Sequence, residues 1–354
     1  MIKKDIAIVH TNKYVKNPEK NKRKPFFGKG EKGNISYAFF LKKLKKLGIK
    51  TCLLPALSIT KTGEIERFWH YEDNWKKKEQ TCKPQIIFNK TITTEKKEQK
   101  KLNLLRKKDT YFFNDKIDGI FSDKYKSFKF LKKTSIPTAP IKENSKSGIL
   151  KAKNNLDKTL NNHKSKKDFD KINYVVKKRK GGGGRGVFKV KLPNIKEKVI
   201  KKLNKKDYIL QPYIDYKTGF VYKNKRQNSD LRLTVLKNKL IHAYYRVAPK
   251  KEFQSNITKG AKPIFIKKKE IPNEVLKEYK RLKKKITKEL SIKHSFYTLD
   301  FIKSSNKNLY LVEANSKPGM IWEERKEDKK NIKKMLLSLA KTLKEVKETV
   351  SQKN

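Results

Sequence analysis

Apolar positions come in short runs separated by long polar stretches, and their spacing changes along the chain. Ile6-Ala7-Ile8-Val9 is a compact apolar run and predicts a buried strand. Tyr37, Phe40, Leu41, Leu44 and Leu47 recur at helical spacing, so residues 35–47 predict a helix that stops at Gly48. Ile49 to Leu57 and Pro84 to Asn89 predict two further strands, and Tyr111 to Asn114 a short one. Strand, helix and strand in that order predict a parallel α/β sheet for the first part of the chain. A helix follows over 123–133, with Phe128, Phe130 and Leu131 as candidate core residues. Ile136-Pro137-Thr138-Ala139-Pro140 predicts an extended link, because each proline bars helix from the residue before it.

The period then shifts toward two. Tyr174 to Lys177 and Val187 to Val190 predict strands on either side of a glycine run, and Tyr208 to Ile214 predicts another. Asp230 to Leu236 and Leu240 to Val247 predict a hairpin around Lys237-Asn238-Lys239. Ser295 to Lys303 and Leu309 to Asn315 predict a second, in which Ser304 pairs with Leu309. Between them 274–290 is helical, and 328–350 predicts a closing amphipathic helix. The expected division is an α/β domain over 1–120, an α+β unit over 121–205 and a second α+β unit over 206–350.

Composition narrows the class. Of 354 residues 35% are hydrophobic and 10% aromatic, enough for a core inside a charged shell. No run of 18 apolar residues occurs, so no membrane-spanning helix is expected. No apolar export signal follows Met1, and a reduced cytoplasm is the expected compartment. Cys52 and Cys82 form no C-x-x-C pair, and the five histidines have no metal-ligand spacing, which excludes a disulfide scaffold and a cysteine zinc site. The net charge is +58, yet of 93 basic residues only ten are arginine, and alanine too occurs only ten times. That pattern reads as a coding bias that makes lysine the default cation, rather than as a nucleic-acid surface; a nonenzymatic polyanion-binding protein is the alternative. In such a chain an arginine marks a place where geometry asked for one.

Several groups of residues carry candidate chemistry. Gly181-Gly182-Gly183-Gly184 lies between two strands, after Lys177, and offers backbone N–H groups to phosphate; a plain hairpin tip is the alternative. Glu313 and Asn315 share a strand face, and the predicted hairpin sets Asp300 opposite Glu313. Three hard oxygen donors on one face suit Mg²⁺ bridging phosphates, against the alternative of a solvated polar stripe. Asp230 and Arg232 share a face, with Arg246 opposite Asp230: either a structural ion pair or a bidentate anion site. Gly28-x-Gly30-x-x-Gly33 is a formal dinucleotide fingerprint, but a long polar loop precedes it, so a substrate-contacting loop is expected instead.

The order of these parts resembles the ATP-grasp superfamily over about residues 120–345, and most of all the branch of glutathione synthetase and the ribosomal-protein glutamate ligases. The resemblance implies an N-terminal pre-ATP-grasp-like domain before a two-subdomain ATP-grasp fold. It implies Lys124 and Lys177 on ATP phosphates, the loop with Gly182, Gly183 and Gly184 closing over them, and Gln211, Tyr213 and Ile214 at the adenine. It implies Asp300, Glu313 and Asn315 on two Mg²⁺ ions, with Mn²⁺ as a substitute. Arg246 is implied at the transferred phosphoryl group, and Arg232, Ser255, Asn256 and Gly260 at the acceptor site. The implied activity is ATP-dependent joining of a carboxylate to an amine; phosphorylation of an alcohol is the alternative within the superfamily. Two departures stand out. Phe253-Gln254-Ser255-Asn256 replaces a usual Phe-Arg-Ser-Asn, and 216–229 carries Lys217, Lys223, Lys225 and Arg226 as an expected substrate-facing flap. Asp215 is the candidate for the ribose.

Overall fold

The computed structural model describes residues 2–18, 23–28, 31–92, 95–108, 110–203, 207–220, 227–250, 252–322 and 325–352. Gly30 of the fingerprint and Lys223, Lys225 and Arg226 of the expected flap lie outside them.

The first sheet is built from β1 (Ile2–His10), β2 (Thr51–Pro55), β3 (Ile65–Tyr71), β4 (Trp75–Lys90) and β5 (Tyr111–Phe113). β1 pairs in parallel with β2 and β4, and β4 with β5, as the strand–helix–strand order predicts. β3 runs antiparallel to both β2 and β4, so the sheet is mixed rather than wholly parallel. The β3–β4 hairpin is absent from the sequence reading. Its second arm begins Trp75-Lys-Lys-Lys-Glu-Gln, largely exposed, and so has no apolar alternation to reveal it. Helices α1 (Gly33–Lys46) and α2 (Lys96–Arg106) complete this part.

Past α3 (Asp115–Phe121) and α4 (Lys124–Phe130), the middle sheet has the order β6–β9–β7–β8, all antiparallel: β6 (Ala139–Ile141), β7 (Phe169–Lys178), β8 (Val187–Lys191) and β9 (Tyr208–Ile214). Helix α5 (Lys146–Asn161) packs its Ile149, Ala152, Leu156 and Leu160 into that sheet's core; the short α6 (Glu197–Lys202) precedes β9. Because β9 completes this sheet, sheet membership changes after Ile214 rather than at 205.

The last sheet, β12–β11–β10–β13–β14, is also antiparallel, with β10 (Ser229–Leu236), β11 (Lys239–Val247), β12 (Lys262–Ile266), β13 (Phe296–Lys303) and β14 (Leu309–Asn315). Strand alternation gives it two unlike faces. Leu231, Leu233, Val235, Leu299, Phe301 and Ala314 bury one face in a core shared with α7 (Asn273–Leu290). The intervening positions put Asp230, Arg232, Asp300 and Glu313 on the other. Helix α8 (Lys326–Ser351) turns Met335, Leu336, Leu339 and Leu343 into the first domain's core, beside Phe40 and Leu44 of α1.

Both hairpins set the expected residues opposite one another by an unexpected route. The first turn has two residues, Lys237 and Asn238, both at positive φ, so Leu236 pairs with Lys239. A bulge at Ile241 then shifts the register and brings Asp230 opposite Arg246. In the second hairpin Lys303, not Ser304, pairs with Leu309, and a bulge at Val312 restores Asp300 opposite Glu313.

Candidate active site

A cleft of about 890 Å³, open mouth included, lies between the middle and last sheets. Its apolar wall is made by Ile136, Val175 on β7, Ile214 on β9, Ile302 on β13 and Val312 on β14. Strand β6 pairs with β9 only as far as Leu210, so Gln211–Ile214 present an edge that β6 does not cover. Gln211 Nε2 donates to Thr138 Oγ1 at 2.8 Å. Gln211 Oε1 is buried and has no donor among the described residues. An acceptor of that kind beside an uncovered strand edge suits a planar base that brings its own N–H groups.

Cations and acids occupy the other end. Asp123 caps α4, accepting from the amides of Tyr125 and Lys126, and is gripped by Arg179, which fixes the helix start beside the glycine run. Lys124, the first residue of that helix, lies 3.1 Å through Nζ from Glu313 Oε1 and donates to the Gly181 carbonyl at 2.8 Å. Lys177, near the end of β7, also lines the cleft. Burial pulls its ammonium down to about 8, partly offset by Glu313. Burial acts to raise Glu313, and Lys124 outweighs it and holds the carboxyl below its ordinary value.

Behind these runs a four-residue ion network. Arg246 donates from Nε and Nη2 to Asp230 at 2.7 and 2.6 Å, and from Nη2 to Asp300 at 2.8 Å. Arg232 grips Asp300 through Nε and Nη2 at 2.6 and 2.5 Å. Asp300 is fully buried. Burial acts to raise it, and the two guanidinium groups together keep it below the carboxylate range. Among the described residues Asp230 has Arg246 as its one ion partner; burial pushes it up to about 6 against that pull.

The glycine loop closes the cleft from above. Gly183 and Gly184 have φ of 68° and 67°. A Cβ on Gly184 would stand 2.6 Å from Asn256 Nδ2 and 2.7 Å from Gln254 Oε1, the movable ends of two side chains, and it is the positive φ that favours glycine here. The Gly183 carbonyl accepts from Thr258 Oγ1 at 2.7 Å, and Arg185 Nη1 donates to Tyr14 of the first domain at 2.8 Å.

Of the residues singled out in the sequence, Lys124, Lys177, Gly182, Gly184, Gln211, Tyr213, Ile214, Arg246, Ser255, Asn256, Asp300 and Glu313 line this cleft. Four do not. Arg232 is the ion partner of Asp300. Gly183 lies in the loop but off the lining, and Gly260, at φ 86°, ends the turn 257–259. Asn315 lines a neighbouring cavity. Ser255 does line the cleft, but its hydroxyl is engaged within the protein, 3.3 Å from Tyr216 Oη and donating to Asn228 O at 3.4 Å. Ile136 and Tyr216 also line the cleft and carry no sequence signal of their own, Gln254 lines it where the sequence showed only a departure, and Thr258 joins through its hydrogen bond to the loop. Among the described residues no group of three or more His, Cys, Asp and Glu stands ready for a metal. Asp300 and Glu313 nevertheless face each other across β13 and β14, and carboxylate with phosphate oxygen is the donor set Mg²⁺ takes.

A mixed sheet leading into two antiparallel sheets, with the cleft between them under a glycine loop, defines an ATP-grasp protein. Residues 121–339 match the RimK-like ATP-grasp domain, and the chain belongs to that family. Membership brings ATP and Mg²⁺ as the family's requirements. Solved structures share the fold over nearly the whole length. D-cycloserine synthetase DcsG aligns with TM-score 0.58 at 12% identity, over 96% of this chain and 99% of its own. D-alanyl-alanine synthetase A from Vibrio cholerae O1 biovar eltor aligns with TM-score 0.57 at 12% identity, over 96% and 100%. The ATP-grasp ligase PsnB, complexed with minimal precursor, Mg and ADP, aligns with TM-score 0.52 at 11% identity, over 97% and 99%. No curated protein matches the sequence. Among the described residues no helix is long and apolar enough to cross a membrane.

Proposed function

We propose that this chain is an ATP-dependent carboxylate–amine ligase that works through an acyl phosphate. The observation that carries this is the meeting of Lys124, Lys177 and Arg246 with Asp300 and Glu313 at one end of a cleft whose other end suits a purine base. Gln211 Oε1 and the uncovered edge of Gln211–Ile214 receive the adenine. The N–H groups of Gly182 and Gly184, with the ammoniums of Lys124 and Lys177, hold the phosphates. Asp300 and Glu313 would hold Mg²⁺, two ions with Asn315 as a further ligand, and Mn²⁺ in its place. Bound there, the metal supplies positive charge against the phosphate oxygens.

A carboxylate oxygen of the acid attacks the γ-phosphorus, the bond to the β–γ bridging oxygen breaks, and ADP leaves with the electron pair. The amine nitrogen then attacks the acyl carbon, loses a proton and expels phosphate, forming an amide. This chain's residues position the groups and neutralise charge, which is most of what phosphoryl transfer asks of a protein. The Nη1 edge of Arg246, which makes no hydrogen bond among the described residues, serves the oxygens of the moving phosphoryl group. Asn256 and Gln254 border the same space from the acceptor side.

The test is ADP release across pools of acids with hydroxylamine as the amine. Hydroxamate formed in step with ADP supports the reading. ADP without hydroxamate, dependent on an alcohol, points to a kinase instead. Salt-sensitive polyanion binding with no turnover of any pool would leave only a binding protein.

A further inference from the structure

The chain has two cysteines in 354 residues, 30 positions apart, and the fold brings them together. Cys52 is on β2 and Cys82 on β4, and their sulfurs lie 4.0 Å apart. Cys52 is fully buried and Cys82 is 2% exposed, in a core with Ala7, Leu54, Ile65, Phe68 and Ile87. Neither lines the nucleotide cleft, and the ligase reading uses neither.

A buried thiol can serve as a small apolar filler, but filling a core does not ask for a second sulfur beside the first. Bonded sulfurs stand about 2 Å apart, so the gap left to close here is about 2 Å. A cation stands at the edge of the same core: Lys4 Nζ lies 5.2 Å from the ring centroid of Phe68. With Cys52 as the donor, the contact between the sulfurs holds the Cys82 thiol below its ordinary value; burial opposes this and Lys4 assists. The same contact raises Cys52 well above its own value, and burial adds to the rise. The two sulfurs are therefore unequal. The slightly exposed one is the better nucleophile, and the enclosed one is placed to attack it in turn.

We propose that Cys52 and Cys82 are a modification site, a peroxide-reactive thiol pair that closes to a reversible disulfide in the folded protein. The Cys82 thiolate attacks one oxygen of hydrogen peroxide, the O–O bond breaks, and the departing hydroxide takes up the proton that the thiol released. Cys82 is then a sulfenic acid. The Cys52 sulfur, giving up its proton, attacks Cys82 Sγ and expels the hydroxyl oxygen as water. In sum two thiols lose two electrons to one peroxide, which becomes two waters. A small oxidant suits a sulfur so little exposed. The core closes without the bond, so the pair is no scaffold disulfide. Cys52 keeps Cys82 on the reversible part of the oxidation ladder.

The experiment treats the folded full chain with hydrogen peroxide at neutral pH and reads free thiols by alkylation and mass spectrometry, in the wild type, Cys52→Ala and Cys82→Ala. The wild type should lose both thiols together and about 2 Da, within one chain, and regain both with dithiothreitol. Cys52→Ala should stop at a sulfenic acid on Cys82 that dimedone captures, and on longer exposure should pass to acids that dithiothreitol does not reverse. Cys82→Ala should give at least about tenfold less dimedone adduct. The wild-type measurement stands whether or not the variants fold. Two thiols still free after peroxide, a disulfide that forms only in urea, a bond between chains, or equal adduct in the two variants would overturn the proposal.

Discussion

The guanidinium of Arg246 is held at Nε and Nη2 by Asp230 and Asp300, and Nη1 makes no hydrogen bond among the described residues. The two sequence readings of this residue, ion pair and phosphoryl contact, therefore concern different edges of one side chain. Arg246→Lys should lower kcat about 10²-fold with the ATP Kd little changed, because an ammonium cannot bridge two oxygens in a plane. It should also lower Tm, since breaking a buried pair costs about 3–5 kcal/mol when the partner charge stays behind. Assays well below both midpoints separate the two effects, and a normal kcat there would leave Arg246 purely structural. Glu313→Gln should behave otherwise: turnover lost and Tm nearly unchanged, because Glu313 is only partly buried and its direct ion pair is with Lys124. Lys177 predicts a pH dependence. Its ammonium has a value of about 8 in the free protein, and bound phosphate would raise it. Nucleotide affinity should therefore be flat below about pH 7 and fall above 8, with proton uptake on binding near pH 8. Calorimetry in buffers of different ionisation heat would show that uptake. Arg246, Asp300 and Glu313 were legible in the sequence because each is a poor choice for a lysine-rich surface, whereas Lys124 and Lys177 stood out only by their places at a helix start and beside the glycine run. Which nitrogen meets which oxygen was not, because that depends on the distance between strands.

At the scale of elements, the glycine loop is fastened from three sides: Gly181 by Lys124, Gly183 by Thr258 and Arg185 by Tyr14. Thr258→Val keeps the shape and removes one fastening. The ATP KM should rise a few-fold, about what one hydrogen bond contributes, with kcat less affected. Protease nicking within 181–186 should slow with ATP and Mg²⁺ in the wild type, as lids commonly do, and less so in the variant. Equal nicking with and without nucleotide would return the loop to a plain hairpin tip. Strands whose sequence alternates polar and apolar residues, such as β10 and β13, could be read directly, although nearly every position in them is buried. β12 could not, being five residues long and carrying Pro263. The hairpins were read with the wrong turns and the right partners, because each bulge offsets the turn by one residue and no local sequence feature marks a bulge.

Over the whole molecule, the first domain grips the strand that ends the site. Asn114 donates from Nδ2 to the carbonyls of Phe296 and Ser316 at 2.7 and 2.8 Å, and Lys90 Nζ donates to Pro318 O at 2.6 Å. Burial first, and Lys317 next, bring the Lys90 ammonium down to about 7, with Asp118 opposing. The folded value lies below the ordinary 10.5, so between about 7 and 10.5 the unfolded chain binds more protons and stability rises with pH. Lys90→Met should flatten that part of the curve, and parallel melting curves for the two proteins across the window would refute it. That three sheets follow one another along the chain was legible from element order; this seam was not, since its residues lie far apart in the chain. The bulges at Ile241 and Val312 have a consequence for how such a chain tolerates changes of length. Each stands between a hairpin turn and the charged row and takes up one extra residue that has no partner across the hairpin. Deleting Ile241 or Val312 would leave a regular hairpin with the same partners, Asp230 opposite Arg246 and Asp300 opposite Glu313, because the next residue would follow directly on the last pair before the bulge. In the genealogy of this fold, these two places could lose a single codon and keep the charged row in register, whereas gain of a further one beside them would not.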